Sequence, residues 1–185
     1  MNIDQMLKNI EEYAIHFSQH EQRVYETQSL IKLRPEEVKD ELGKMEAQLT
    51  EESQIIISNL NEFSADKLFE LIAMLSIKVR LLQENMYDKA LNYGGTKASL
   101  EIAKRNNDGR ELYSNPSVWA REVVNQEDEM KALKNKTQVY SAFIGTVSHL
   151  VQRKIATNVI EEYVENSNYP YVDETSMNHP TNRHI

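Results

Sequence analysis

The most informative features of this 185-residue sequence are those it lacks or holds in small numbers. It has no cysteine, which excludes disulfides, thiolate nucleophiles and cysteine-ligated zinc. With only five glycines and four prolines, long helices are favoured over strands and tight turns. No run approaches the roughly 18 apolar residues of a membrane span, and the N-terminus lacks the pattern of a secretory signal. We therefore predict a soluble, all-α protein of the cytoplasm with no membrane association.

The net charge of −8 is distributed unevenly along the chain. Residues 1–66 hold 6 Lys/Arg against 14 Asp/Glu, residues 67–158 hold 14 against 10, and residues 159–185 hold 1 against 5. A mildly basic middle is therefore flanked by two acidic regions. The predicted organisation is an acidic helical arm over 1–63, a helical core with a basic waist and a long C-terminal helix over 64–166, and an irregular or disordered tail over 167–185.

Apolar residues recur at alternating steps of three and four in three segments, a spacing typical of helices that pack lengthwise. These seams cover residues 3–31, 68–86 and 130–151. Together with capping residues and breakers they predict helices over 3–33, 35–48, a short stretch after Thr50, 64–93, 97–104 and 116–165. The run Ile55-Ile56-Ile57 leaves a short strand as an alternative. Residues 116–165 form either one helix or two nearly collinear helices joined near 126–129.

Predicted helix ends and the length of the last helix determine the architecture that we expect. Gly94-Gly95 is predicted to end a helix, because glycine readily takes the left-handed conformation found there. The segment 106–109 (Asn-Asn-Asp-Gly) predicts a turn. A 50-residue helix would reach roughly 75 Å, which implies a partner helix from another chain. We predict an elongated helical bundle with coiled-coil-like long helices that forms a homo-oligomer. A monomeric bundle, in which the seams meet one another, is the alternative.

No residue pattern has the spacing of a catalytic or metal site. His16 and His20 are four residues apart but lack the HExxH context, so we interpret them as exposed histidines on a polar face. The segment 94–97 (Gly-Gly-Thr-Lys) follows a helix and lacks the full spacing of a phosphate-binding loop. The many paired glutamates lie on polar faces with no apolar pocket to shift a catalytic pKa. We predict no enzyme activity, no metal and no cofactor.

Cations and aromatic rings alternate around the predicted basic waist. Cations can neutralise phosphates while rings stack on unpaired bases, so this combination is typical of proteins that bind single strands regardless of sequence. The alternative is an ordinary solvated surface with the rings buried between helices. The candidate nucleic-acid-binding residues are Lys89, Lys97, Lys104, Arg105, Arg110, Tyr113, Trp119, Arg121, Lys131, Lys134 and Lys136.

The long C-terminal helix carries a family resemblance. The segment 130–134 (Met-Lys-Ala-Leu-Lys), the apolar positions Tyr140, Ile144, Val147 and Leu150, and the segment 153–155 (Arg-Lys-Ile) resemble the C-terminal helix of UvsY-type phage recombination mediators. The layout of a helix, a basic linker and a long helix over 66–160 is also similar. The resemblance implies a small helical protein that forms rings, binds single-stranded DNA and helps to load a recombinase.

Two functional hypotheses follow from these observations. In the first, the protein is a non-enzymatic oligomeric accessory of phage-type DNA recombination or replication that binds single-stranded DNA. The acidic arm would then contact a basic partner protein or compete with DNA for the basic waist. In the second, it is a structural or assembly protein, such as a scaffold, a virion component or a protein-binding inhibitor, and nucleic acid plays no role.

Overall fold

The computed structural model describes residues 2–29, 35–106 and 116–167, which form four α-helices and contain no strand. The helices are α1 (Ile3–Ser29), α2 (Pro35–Asn61), α3 (Ala65–Asn106) and α4 (Pro116–Ser167). This confirms the predicted all-α class. The predicted turn at 106–109 and the predicted tail fall almost entirely outside the described residues, except that Asn106 ends α3 and Ser167 ends α4.

Residues 35–61 form one helix, where the sequence predicted two helices or a short strand. The prediction of a new helix at Thr50 is wrong, because the Thr50 hydroxyl donates to the Glu46 carbonyl at 2.8 Å inside the continuous helix. The isoleucine run is helical as well. Ile56 is buried while Ile55 and Ile57 are exposed, because a helix turns neighbouring side chains to different sides. No proline or helix-ending glycine separates the two halves.

Helix α3 passes through Gly94-Gly95 without a break, so the predicted helix end at this pair is wrong. Neither glycine has a positive φ, and an added Cβ at either position would meet no atom within 4 Å. Beyond the pair, Thr96, Leu100 and Ala103 are buried. Packing of this apolar edge holds α3 together across a pair whose intrinsic cost is only about 1 kcal/mol per glycine.

Helix α4 is likewise one continuous element of 52 residues, with no join near 126–129. Ser64 caps the start of α3: the Lys67 amide donates to the Ser64 hydroxyl at 3.4 Å, and the Leu68 amide donates to the Ser64 carbonyl at 3.0 Å. At about 1.5 Å per residue, α4 is about 78 Å long and α3 about 63 Å, whereas α1 and α2 each reach about 40 Å.

Cross-helix contacts fix the directions of the helices. Arg23 of α1 meets Glu41 of α2 at 2.8 Å and His16 meets Glu52 at 2.9 Å, so α1 and α2 are antiparallel. The Lys154 ammonium donates to the Asn61 carbonyl just before α3, while the Tyr93 hydroxyl donates to Glu127 of α4. Helices α3 and α4 are therefore also antiparallel, with the N-terminal end of α3 beside the C-terminal half of α4.

One apolar core joins all four helices. Its fully buried side chains include Met6, Ile10, Leu60, Leu68, Leu71, Leu75 and Val147. Tyr13 of α1 packs edge-on against Phe143 of α4, with ring centroids 5.6 Å apart. Tyr140 is buried beside this layer, and burial raises the pKa of its hydroxyl to about 12, so the phenol stays neutral. The acidic arm therefore contributes to the same core as the rest of the chain.

The long helices extend past the short ones. Tyr25 lies beside Lys131, and α1 ends only four residues later, level with about residue 127 of α4. The parts of α3 and α4 beyond that level, residues 95–106 and 116–125, form an antiparallel two-helix projection that we call the distal hairpin. Its buried residues within α3 are few and mostly small, namely Thr96, Leu100 and Ala103.

Candidate nucleic-acid interface

The distal hairpin carries four of the predicted cations. Lys97, Lys104 and Arg105 lie on α3 and Arg121 lies on α4, and all four are exposed. The same residues, 95–106 and 116–125, contain two acids, Glu101 and Glu122. By contrast, α1 and α2 together contain four Lys/Arg and twelve Asp/Glu. The projection is therefore mildly basic and is separated along the molecule from the acidic helices.

Local contacts hold two of these cations in place. The Lys97 ammonium lies 5.5 Å from the centroid of the Tyr93 ring, within the range of a cation–π interaction. Lys104 donates to Glu101 at 2.9 Å on the same helix. This hydrogen bond, and then the charge of Lys104, lower the pKa of the Glu101 carboxyl. Lys104 is thus partly neutralised, whereas Arg105 and Arg121 form no ion pair with any carboxylate of the described residues.

Other predicted cations stabilise the fold. Lys89 of α3 forms an ion pair with Glu129 of α4 and so links the two long helices. Lys131 pairs with Asp128 at 3.6 Å on α4. Lys136 is half-buried on α4. The basic waist predicted as one surface is therefore divided into the distal hairpin and a second group near the end of α1.

That second group lies in a cleft between α1 and α4, which we call the α1–α4 cleft. Its charged and aromatic lining residues are Glu21, Asp128, Lys131, Lys134 and Tyr25, so two acids face two lysines, and Ser18, Gln22, Ala132 and Asn135 complete the lining. The Lys131 ammonium lies 3.7 Å from the centroid of the Tyr25 ring. Tyr25 is not among the residues predicted from the sequence, because it lies more than 100 positions before Lys131, in the predicted acidic arm. Only the antiparallel docking of α1 on α4 brings the two together.

The aromatic residues near the cations differ in their burial and in their contacts. Trp119 is half-buried at the start of α4 and contacts other groups there. Tyr113 and Arg110 lie outside the described residues. Tyr93, whose ring lies beside Lys97, uses its hydroxyl to donate to Glu127 at 2.6 Å. Tyr25, beside Lys131, is more exposed to solvent than Tyr93, with 54% of its surface exposed.

The histidines do not occupy the exposed face that was predicted. His20 is 9% exposed between α1 and α2, near Glu21 at 3.6 Å and Glu46 at 3.7 Å. His16 is half-buried and meets Glu52 at 2.9 Å. Because histidine is polar, the apolar pattern of α1 does not include these two positions, although α2 packs over them. Within residues 2–29, 35–106 and 116–167, no cluster of three or more His, Asp or Glu could hold a metal ion.

Comparison with known proteins yields no match to a family model, a curated protein or a solved structure. None of the described helices is long and apolar enough to span a bilayer.

Proposed function

We propose that the protein is a non-enzymatic, oligomeric accessory of phage-type DNA recombination or replication, and that its distal hairpin binds single-stranded DNA. The observation that supports this proposal is the basic, projecting end of α3 and α4. Four exposed cations occur there against two acids, at a distance from the acidic helices. Phosphates could reach these cations without passing the carboxylates of α1 and α2, and binding by charge would be indifferent to base sequence.

The proposal predicts salt-sensitive binding that depends on the distal hairpin. Fluorescence anisotropy of a labelled oligothymidylate should show binding at micromolar protein in low salt and its loss in high salt. A variant in which the four cations of the hairpin are changed to glutamine should bind at least about 30-fold more weakly, because each lost phosphate contact reduces counterion release. These changes are Lys97→Gln, Lys104→Gln, Arg105→Gln and Arg121→Gln.

A matched control removes four exposed cations elsewhere. The control substitutions are Lys8→Gln, Lys39→Gln, Lys44→Gln and Arg80→Gln. They change the net charge equally, so nonspecific attraction falls by a similar amount while the hairpin stays intact. Equal weakening of the two variants would refute the hairpin as the site. Absence of salt-sensitive binding by the wild-type protein would refute the proposed function.

A second candidate function, assembly through protein contacts, is favoured by the outward face of α3. Phe69, Ile77 and Leu81 are 53%, 60% and 57% exposed, and Ala73 lies between them in the same row of four-residue steps. Rows at this spacing form the ridges with which crossing helices pack. Contiguous exposed apolar surface of this kind marks protein interaction sites.

The assembly candidate predicts that charge on this row disrupts self-association. Light scattering should give a mass above that of one 21.5 kDa chain for the wild-type protein. The double variant Ile77→Lys and Leu81→Lys should shift the mass toward that of one chain, because both lysines would have to be buried in the interface. The control variant Lys39→Gln and Lys44→Gln should keep the wild-type mass. A wild-type monomer at all concentrations tested would exclude self-assembly through this face.

A further inference from the structure

The α1–α4 cleft brings an exposed ring of α1 together with two lysines of α4. We infer that this cleft is a second contact for single-stranded nucleic acid and holds one nucleotide unit, with the base against the Tyr25 ring and its phosphate at Lys134. The inference rests on the proposed function, which supplies the strand, and it adds a specific site where a base is held.

The geometry of the ring supports a role in stacking. The Lys131 ammonium lies over one face of the Tyr25 ring, 3.7 Å from its centroid, and 54% of the residue is exposed, so a base would stack on the opposite face. An aromatic ring with accessible surface beside cations is the usual platform for an unpaired base. A paired base could not reach it, because its faces are covered by neighbouring base pairs. The cleft therefore favours single strands over duplexes.

The charges in the cleft assign different roles to the two lysines. Lys131 is engaged with Asp128 at 3.6 Å as well as with the Tyr25 ring. Lys134 is exposed and pairs with no carboxylate of the described residues, so it is the cation that a phosphate would neutralise. For the edge of a base, Glu21 supplies an acceptor and Asn135 supplies an amide, while the Gln22 amide already donates to Glu26 at 3.1 Å.

The test measures stacking directly. An oligothymidylate carrying a single 2-aminopurine should lose fluorescence on binding the full-length protein, because this base is quenched when it stacks on an aromatic ring. Tyr25→Ser should abolish the part of the quenching due to the cleft and weaken binding about tenfold, the typical effect of losing one stacked base. Tyr25→Phe keeps the ring and should preserve both signals. Lys134→Gln should reduce the salt slope of log K by about one.

Two controls match these variants. Tyr87→Ser removes a ring that is 66% exposed on α3, and Lys44→Gln removes an exposed cation of α2; both should behave like the wild-type protein. If the wild-type protein binds DNA and the distal-hairpin variant weakens it, but Tyr25→Ser binds and quenches normally, the cleft inference is overturned and the proposed function stands. If the wild-type protein does not bind the oligonucleotide at all, both fall.

Discussion

Replacing Leu75 with alanine should lower the free energy of unfolding by about 3 kcal/mol, within the usual range of about 2–5 for a buried leucine. Leu75 is fully buried in the core shared by all four helices. The substitution removes apolar contacts and leaves a cavity that the long, continuous helices around it can close only in part. Chemical denaturation followed by circular dichroism would measure the change, as a lower midpoint with little change in slope.

Leu81 provides the matched control, because it is the same residue type on the same helix but is 57% exposed on the outward face. Leu81→Ala should change the free energy of unfolding by less than about 0.5 kcal/mol. Similar losses for both variants would contradict the assignment of the core face of α3. A large loss for Leu81→Ala alone would mean that the outward face is buried in solution, as the assembly candidate requires.

The double substitution Gly94→Ala and Gly95→Ala should stabilise α3 by about 2 kcal/mol, about 1 for each glycine. Both glycines are helical and an added Cβ would meet no atom within 4 Å, so the gain in helix propensity should not be offset by a clash. Hydrogen exchange of the amides in 96–104 would detect the effect as protection increased about 30-fold, the equivalent of 2 kcal/mol.

Gly145→Ala is the control for this change, since Gly145 also lies inside a helix with open space around its Cα. It should stabilise α4 by about 1 kcal/mol and leave exchange in 96–104 unchanged. Reduced protection in 96–104 for the Gly94/Gly95 variant would indicate a left-handed turn at this pair, as the sequence suggested, since alanine is strained at positive φ.

The apolar spacing predicted the buried faces of α1, α3 and α4 where burial is regular, but no seam was predicted over α2. Leu7, Ile10 and Ala14 of α1 are buried, as are Leu68 and Leu75 of α3. Positions near the edge of a stripe were less predictable. Leu81 is apolar and lies within the α3 seam range, yet it is exposed, because whether an edge position is covered depends on which neighbouring helix lies beside it.

The candidate site was only partly predictable. The cations and their uneven distribution are properties of the sequence. Lys97, Lys104 and Arg105 are exposed in the structure, and their contact with nucleic acid stays a prediction. The ion-pair partners of the cations cannot be identified from the sequence, because Lys89 and Glu129, which form an ion pair between α3 and α4, lie 40 positions apart. Tyr25 could not have been identified, because its importance depends on docking against Lys131.

The sequence alone determined the all-α class and the faces that form the core, because helix periodicity is a local property repeated over many residues. It also determined that cysteine chemistry is excluded, since the chain contains no cysteine. Only the tertiary structure decided that α2 and α3 continue through their predicted breaks. A glycine pair or a polar cap signal is worth about 1 kcal/mol per residue, less than the packing of a whole helix edge. The same packing buried His20 and split the basic waist into two surfaces.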